Sequence, residues 1–490
     1  MSSTSNPRLA LIGLDACDLE LVLAHRARLP HLDALLGAGA LHRLETPSRL
    51  LTGSVWPTFY TGTTPGEHGI YHHLQWDAAE MRLRRVTGDW LPCVPFWHEL
   101  ARSGVRVCVL DVPMTFPSHL EPGVEVINWG SHDQLGPFHA NRPELARELR
   151  GRFGRHPMGA EIPVDKTRAQ LEAIRRRLVA GARRKGELIR WLAAQVPWDL
   201  LLAVFGECHR GGHLLYPEVA ADSAIPAEAL LDVYRAVDDA IGSLRSALDP
   251  SVAIALFALH GMRENTSQEH FMPAIAERVN ARFERPPAEV SPGEQPAGLV
   301  RRLRRSVPAR LQNAIAQAVP VRVRDWVVAR ATTGGLDWSR TPGFALLADD
   351  NGYLRFNLAG REAAGRLAPG SAEQERYARL LEASLRELRV VPGERPLVRD
   401  VLAPAEVFPG ARARHLPDRV VSWADAEPAR QVQSERLGSI SARLDTGRAG
   451  NHRHQGFLLL DAAAARRAGA TPLRHVLDLA PWVRGHWGRS

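Results

Sequence analysis

Lysine is nearly missing from this chain: of 62 Lys and Arg residues among 490, only Lys166 and Lys185 are lysines. A basic side made of arginine suits bidentate capture of phosphate or sulfate, and beside abundant Ala, Gly and Pro it is also what a GC-rich genome produces. The formal net charge of +8 does not by itself imply nucleic acid. The basic runs "RLRRSVPAR" and "RRRLVAGARRK" lack interleaved aromatics, so no specific nucleic-acid partner is expected. Cysteine is scarce too. Cys17, Cys93, Cys108 and Cys208 show no CxxC spacing, which argues against a disulfide framework, and each adjoins an apolar segment, as small buried thiols do. No apolar run approaches the roughly 18 residues that span a bilayer, and residues 1–7 form a disordered polar leader without an apolar signal core. The expectation is a cytoplasmic protein with no membrane partner. Internal repeats and long low-complexity linkers are also lacking, which favours one enlarged domain over two independent ones.

What is present is alternation. "RLALIGLDACD" (Arg8 to Asp18) reads as a strand ending in an acid, and "LPHLDALLGAGA" as a helix closed by glycine. Further strands are expected at Val105 to Pro113, Trp198 to Glu207 and Val252 to Gly261, with helices over Lys166 to Ala194 and Pro226 to Leu248. Near-continuous apolar strands alternating with helices predict a doubly wound, mostly parallel α/β sheet with helices on both faces. After Gly261 the texture turns polar and Arg/Pro-rich, so residues 263–342 are read as an inserted helical cap, and residues 8–262 and 343–490 as the α/β core. Strand character returns at "GFALLADDNGYLRFNL", and "GFLLLDA" (Gly456 to Ala462) reads as the last core strand.

In such sheets ligands gather outside the carboxyl ends of the strands. Asp15 follows the first strand, His209 and His213 the strand ending at Phe205, and His260 the strand ending near Leu259. His452, in "GRAGNHRHQG", precedes the final strand and is expected in a loop at one end of the sheet. Each has a bland alternative: Asp15 as a helix cap, His260 as a turn residue, the i, i+4 pair His209/His213 as a surface coincidence. Together, at strand ends, they point to a metal. Glu207 is a candidate to orient one of these imidazoles, or a solvated strand-end acid. "TPSRLLTGSVWPTFYTGTTPGEHGIYHH" (Thr46 to His73) is a loop of tight turns before a helix, whose hydroxyls can meet an anion; a threonine there becomes a nucleophile when a metal lowers its pKa.

In chain order, "LIGLDACD", "LPHLDALLGAGA", "TGSVWPTFYTGTTPGEHGIYHH", "FGECHRGGH", "HGM", "NLAGRE", "LPD" and "GNHRHQG" resemble the alkaline phosphatase superfamily, specifically its type I phosphodiesterase/nucleotide pyrophosphatase-like branch. The resemblance implies a doubly wound sheet and two metal ions, usually zinc, about 4 Å apart. It also implies an oxygen nucleophile that becomes a transient phosphoryl ester; that position falls on Thr52, with Ser54 less well placed. The first-strand acid matching one metal falls on Asp15 and the late histidine on His452. "CVPFW" (Cys93 to Trp97) half-resembles the sulfatase formylglycine signature, but Trp97 stands where arginine is needed, so Pro95 to Leu100 reads as a helix start in the core.

Two departures follow from the comparison with the family pattern. His209 stands where Asp is usual in Asp-x-x-x-His, and Leu259 where Asp is usual in Asp-His-Gly. The expected consequence is one tight zinc on His209, His213 and His452. A second site built from Asp15, Thr52 and His260 would bind weakly or not at all. The implied function is a metal-dependent hydrolase or transferase of a phosphoester, a phosphodiester or nucleotide-like anion. Either Thr52 attacks or a zinc-bound hydroxide does, with transfer to another acceptor as a variant. The alternative is a non-catalytic member that holds an anionic ligand with one zinc. Asn128 and His132 of "INWGSHD", with Asn451, are candidates to touch the substrate or support the site, and the oligomeric state is left open.

Overall fold

A computed structural model describes residues 7–132, 134–159, 161, 166–216, 225–226, 228–284, 319, 321–348, 350–424, 427–444, 447–469 and 471–488. The leader, except Pro7, and 285–318 of the expected cap lie outside these residues, as does Asp133 of "INWGSHD".

An eight-stranded sheet organises the chain. Its order is Ala40–Leu44, Gly456–Leu460, Ala253–Ala258, Leu9–Leu14, Leu200–Phe205, Val107–Leu110, Gly123–Ile127 and His139–Ala140. The middle five strands run parallel; Gly456–Leu460 is antiparallel to both its neighbours, and His139–Ala140 is antiparallel to Gly123–Ile127. The central strand alternates its side chains between two cores. Ala10, Ile12 and Leu14 join the cluster that includes Leu178, Leu188 and Val237 from the helices Arg168–Gln195 and Ala229–Ala247. Leu9 and Leu11 join the opposite cluster, with Phe59, Trp97, Leu479 and Val483. Burial on both faces explains why these strands read as continuous apolar runs. The expected core helix after Cys93 is present as Phe96–Arg102, with Trp97 fully buried. Cys93 itself is exposed, unlike Cys17, Cys108 and Cys208, because it precedes that helix instead of lying within a core element.

A second apolar cluster forms beside this sheet. The antiparallel strands Gly343–Leu346, Gly352–Phe356, Arg419–Trp423 and Val398–Leu402 make a four-stranded sheet. The helices Met272–Glu284 and Ala372–Glu387 share a core with it, through Ile275, Val279, Leu354, Leu381 and Val421. The first of these helices lies in the stretch read as a cap, so its apolar face serves the strands that follow it in the chain. "NLAGRE" and "LPD" meet here. Arg361 bridges Asp418 through both guanidinium Nη atoms at 2.7 and 2.8 Å, and Arg355 donates to Glu362 at 2.7 Å, an ion network inside the second lobe.

Candidate active site

The carboxyl edge of the parallel strands carries the polar side chains. Asp15 comes just after Leu9–Leu14, and its N–H bonds to the Phe205 carbonyl of the next strand at 2.9 Å. Asp15 is not a helix cap; Asp18 caps Leu19–Ala24 by accepting the Leu21 N–H at 2.9 Å. His209 and His213 lie on the helix Glu207–Leu215, every residue of which is buried. That helix contains Gly211 and Gly212, each costing about 1 kcal/mol of helix propensity relative to alanine. The gain is closeness: a Cβ on Gly212 would lie 2.3 Å from the Met262 side chain. His260 follows Ala253–Ala258, and Met262 is the register partner of His452. His452 therefore sits in a short strand, Gly450–Arg453, and not in a loop. The following strand runs antiparallel to the core, so its beginning lies beside the carboxyl ends of the parallel strands, and this brings His452 to the same edge.

Four imidazoles collect around that of His209. Its Nε2 lies 3.0 Å from His213 Nε2 and 3.1 Å from His452 Nε2, and its Nδ1 faces Asp15 Oδ2 at 2.8 Å. The other Asp15 oxygen accepts the Trp56 indole N–H at 2.9 Å. The His260 and His132 rings lie 5.4 and 3.8 Å from the His209 ring, centroid to centroid. Donor atoms of His132, His209 and His213 all lie within 4.8 Å of one another, as do those of His209, His260 and His452. The three-histidine set His209, His213 and His452 is thus divided between two groups that share His209. Thr52 lies on the rim, opening a turn that leads into Val55–Thr61, and donates its hydroxyl to the Ser48 carbonyl at 3.3 Å. One cavity is lined by Thr52, Asp15, Trp56, His132, His209, His260 and His452, with Pro113 and Met114. His213 packs behind it, its Nδ1 at 3.0 Å from the Gly450 carbonyl.

Burial favours the neutral form of two of these imidazoles, His213 and His260. Burial pushes His260 down to about 3. It also pushes His213 well below the ordinary histidine range, with the charges of Arg448 and His209 adding to the effect. Burial alone would raise the Asp15 carboxyl, but the charge of His209 and its hydrogen bond hold it below the usual carboxylate range. These are the protonation states that metal ligands need. His260 is buried and, among the described residues, neither of its ring nitrogens has a hydrogen-bond partner, a cost of about 1–3 kcal/mol per unsatisfied group unless a ligand meets it. Two facing Nε2 atoms at 3.0 Å are likewise reconciled by a cation between imidazoles. The donor set fits a divalent metal of the zinc type.

Of three further candidates, Glu207 and Asn128 bond away from the cluster and Asn451 supports it. Glu207 pairs with His156, Oε1 to Nε2 at 2.9 Å, and touches no imidazole of the cluster. Burial would raise its carboxyl, yet Lys185 and His156 lower it. Asn128 accepts from Ser131 Oγ at 3.2 Å and donates to the Pro137 carbonyl at 3.3 Å, bracing its own loop. Asn451 Oδ1 accepts the His452 backbone N–H at 2.9 Å. His132 was grouped with such supporting residues, but its ring belongs to the cluster. The signal was available: it follows the parallel strand Gly123–Ile127 at the same carboxyl edge as the others. Met114 entered no expectation, although it too follows a parallel strand, Val107–Leu110.

The family model described as type I phosphodiesterase/nucleotide pyrophosphatase matches residues 9–371. No curated protein matches in sequence. Phosphonoacetate hydrolase from Sinorhizobium meliloti 1021, solved with phosphonoformate, is 13% identical with a TM-score of 0.51; the match covers 98% of this chain and 96% of that one. Murine ectonucleotide pyrophosphatase/phosphodiesterase 5, an inactive variant in complex with AMP, is 11% identical with a TM-score of 0.53, over 99% of this chain and 96% of that one. At these identities the likeness is one of fold. No helix among the described residues is long and apolar enough to cross a membrane.

Proposed function

The chain belongs to the type I phosphodiesterase/nucleotide pyrophosphatase family, and from that premise we propose that it cleaves a phosphoester, a phosphodiester or nucleotide-like anion, with Thr52 as nucleophile. The observation that carries the reading is the single cavity that Thr52 shares with Asp15, His209, His260 and His452. The imidazoles around His209 would hold zinc, which when bound supplies Lewis acidity and offsets the charge that builds on the phosphoryl oxygens. Thr52 Oγ forms a bond to phosphorus as the bond to the leaving oxygen breaks, and the leaving oxygen takes up a proton. Water then attacks the phosphothreonine, the Oγ–P bond breaks, and the hydroxyl regains its proton. Asp15 acts on His209: one oxygen fixes the ring through Nδ1, and the other is kept in place by Trp56. With both oxygens so engaged, the loss of acids at His209 and Leu259 leaves a site held by neutral donors, which suits one tightly bound ion.

The test pairs metal content with turnover of a phosphodiester such as bis-p-nitrophenyl phosphate, beside phosphomonoester and sulfate-ester controls. Thr52→Ala is expected to lower turnover by on the order of 10³-fold or more while the metal content stays that of the wild type. Full activity in that variant would overturn the nucleophile assignment.

A further inference from the structure

The cavity that Thr52 shares with the imidazoles has two kinds of wall. One is polar, built from Asp15 and the histidines; the other is apolar, built from Val55, Trp56, Pro113 and Met114. The Trp56 indole N–H is taken up by Asp15 at 2.9 Å, so the side chains of the apolar wall offer a ligand neither charge nor hydrogen bond. A charged group pressed against that wall loses its water without replacement, whereas a hydrocarbon group gains by burial. The cavity volume is about 20 Å³, room for about one water molecule. A phosphoryl group carrying an organic substituent therefore enters only where a wall yields.

The apolar wall is unequal in how far it can yield. Trp56 is packed edge-to-face against Phe59 and Phe257, with ring centroids 5.8 and 5.9 Å apart. Val55 is stiff about its first side-chain bond, and Pro113 has a closed ring. Met114 combines a fixed backbone with a flexible side chain. Its carbonyl accepts the buried Tyr60 hydroxyl at 2.9 Å, and its loop begins at Asp111, whose N–H bonds to the Val126 carbonyl at 2.8 Å. Asp111 and Met114 are both left-handed, with φ of +56° and +57°. Glycine takes that conformation without steric cost and methionine does not, so burial of the side chain is what offsets the penalty. Met114 is 3% exposed and packs with Ile70 and Val86.

We propose that Met114 is the specificity-determining residue of this site. Backed by Ile70 and Val86, it limits the organic group carried on phosphorus to a compact, uncharged one and turns bulky aryl or nucleoside groups away. This rests on the phosphoester reading above and narrows it. A methionine serving only the core would not rank ligands by size, so binding separates the two roles.

Methylphosphonate and phenylphosphonate serve as probes, because both carry the organic group directly on phosphorus and their binding is read without turnover. Each is titrated calorimetrically into zinc-loaded full-length protein, with circular dichroism reporting the fold. The wild type is expected to bind methylphosphonate about tenfold or more tighter than phenylphosphonate. Met114→Gly removes the side chain and suits the left-handed backbone; it is expected to reduce that preference by about tenfold, with methylphosphonate affinity within about twofold of the wild type. Val86→Ala, which lets the methionine draw back, should reduce the preference by about threefold, and it carries the test if Met114→Gly does not fold. A preference within about twofold of the wild type in each variant that folds, or a wild type that binds phenylphosphonate as tightly as methylphosphonate, would overturn the assignment alone. Wild-type protein that binds neither phosphonate would overturn it together with the phosphoester reading.

Discussion

His68 and His260 are both buried, and burial pushes both down to about 3, yet their surroundings differ in kind. His68, in the "PGEHGI" turn, accepts the Ile70 N–H on Nδ1 at 3.0 Å, so its Nε2 carries the proton and donates to Thr58 Oγ at 3.0 Å. Among the described residues, neither nitrogen of His260 has a hydrogen-bond partner. The turn is complete within itself, whereas His260, in the cluster at the sheet edge, has two ring nitrogens that no group among the described residues answers. The same contrast holds for Lys185, which binds both Asp111 and the Val204 carbonyl while fully buried. Buried polar groups that satisfy one another hold a fold together; those left unsatisfied mark where a ligand belongs.

The contrast can be broken by mutation. Lys185→Met leaves the Asp111 carboxylate buried without its cation, and a loss of about 3–5 kcal/mol in unfolding free energy is expected from chemical denaturation. A loss below 1 kcal/mol would show that the pair is not what anchors the loop. His68→Ala strands the Ile70 N–H and Thr58 hydroxyl and is expected to cost about 2–4 kcal/mol in metal-free protein, whereas His260→Leu, which removes two unsatisfied buried nitrogens, should stabilise metal-free protein by about 1 kcal/mol or more. Equal losses in the two variants would remove the distinction. The pH dependence should be alike for both. With folded values near 3 against an ordinary 6.5, the unfolded chain takes up protons that the folded chain refuses. Their contribution is therefore fully present above about pH 6.5 and is lost as pH falls from there toward 3, by about 1.4 kcal/mol per pH unit per histidine. Each single variant should flatten the stability profile of metal-free protein between pH 6 and 4 by that amount, and an unchanged slope would show that the ring titrates normally.

Much of this was legible along the chain. The strands Leu9–Leu14, Leu200–Phe205 and Ala253–Ala258 are fully buried on both faces, so their apolar runs were unmistakable, and Asp15, His209 and His260 were found by following those runs to their ends. The last strand is legible in the sequence but its direction is not, so His452 is expected in a loop; its pairing with Met262 of Gly261–Glu264 is a contact between segments far apart in the chain that no local pattern encodes. Glu207 looked like a partner for the neighbouring imidazoles because it lies on their helix. Its position there turns it away from them, toward His156 and the helix Arg168–Gln195. "NLAGRE" and "LPD" carried the family resemblance, but their charges answer each other in the second lobe and not the site.

The sequence by itself determined the alternating α/β architecture, the family, and the residue types gathered at the strand ends, because burial on both faces of a sheet and the loops at its carboxyl edge leave periodic, local marks. Only the tertiary structure decided which nitrogen of each histidine is tied down, which of the five rings group together, and that His132 stands among them. Those choices depend on distances of a few ångströms between segments hundreds of residues apart, and on whether a carboxylate, a carbonyl or nothing lies behind each ring.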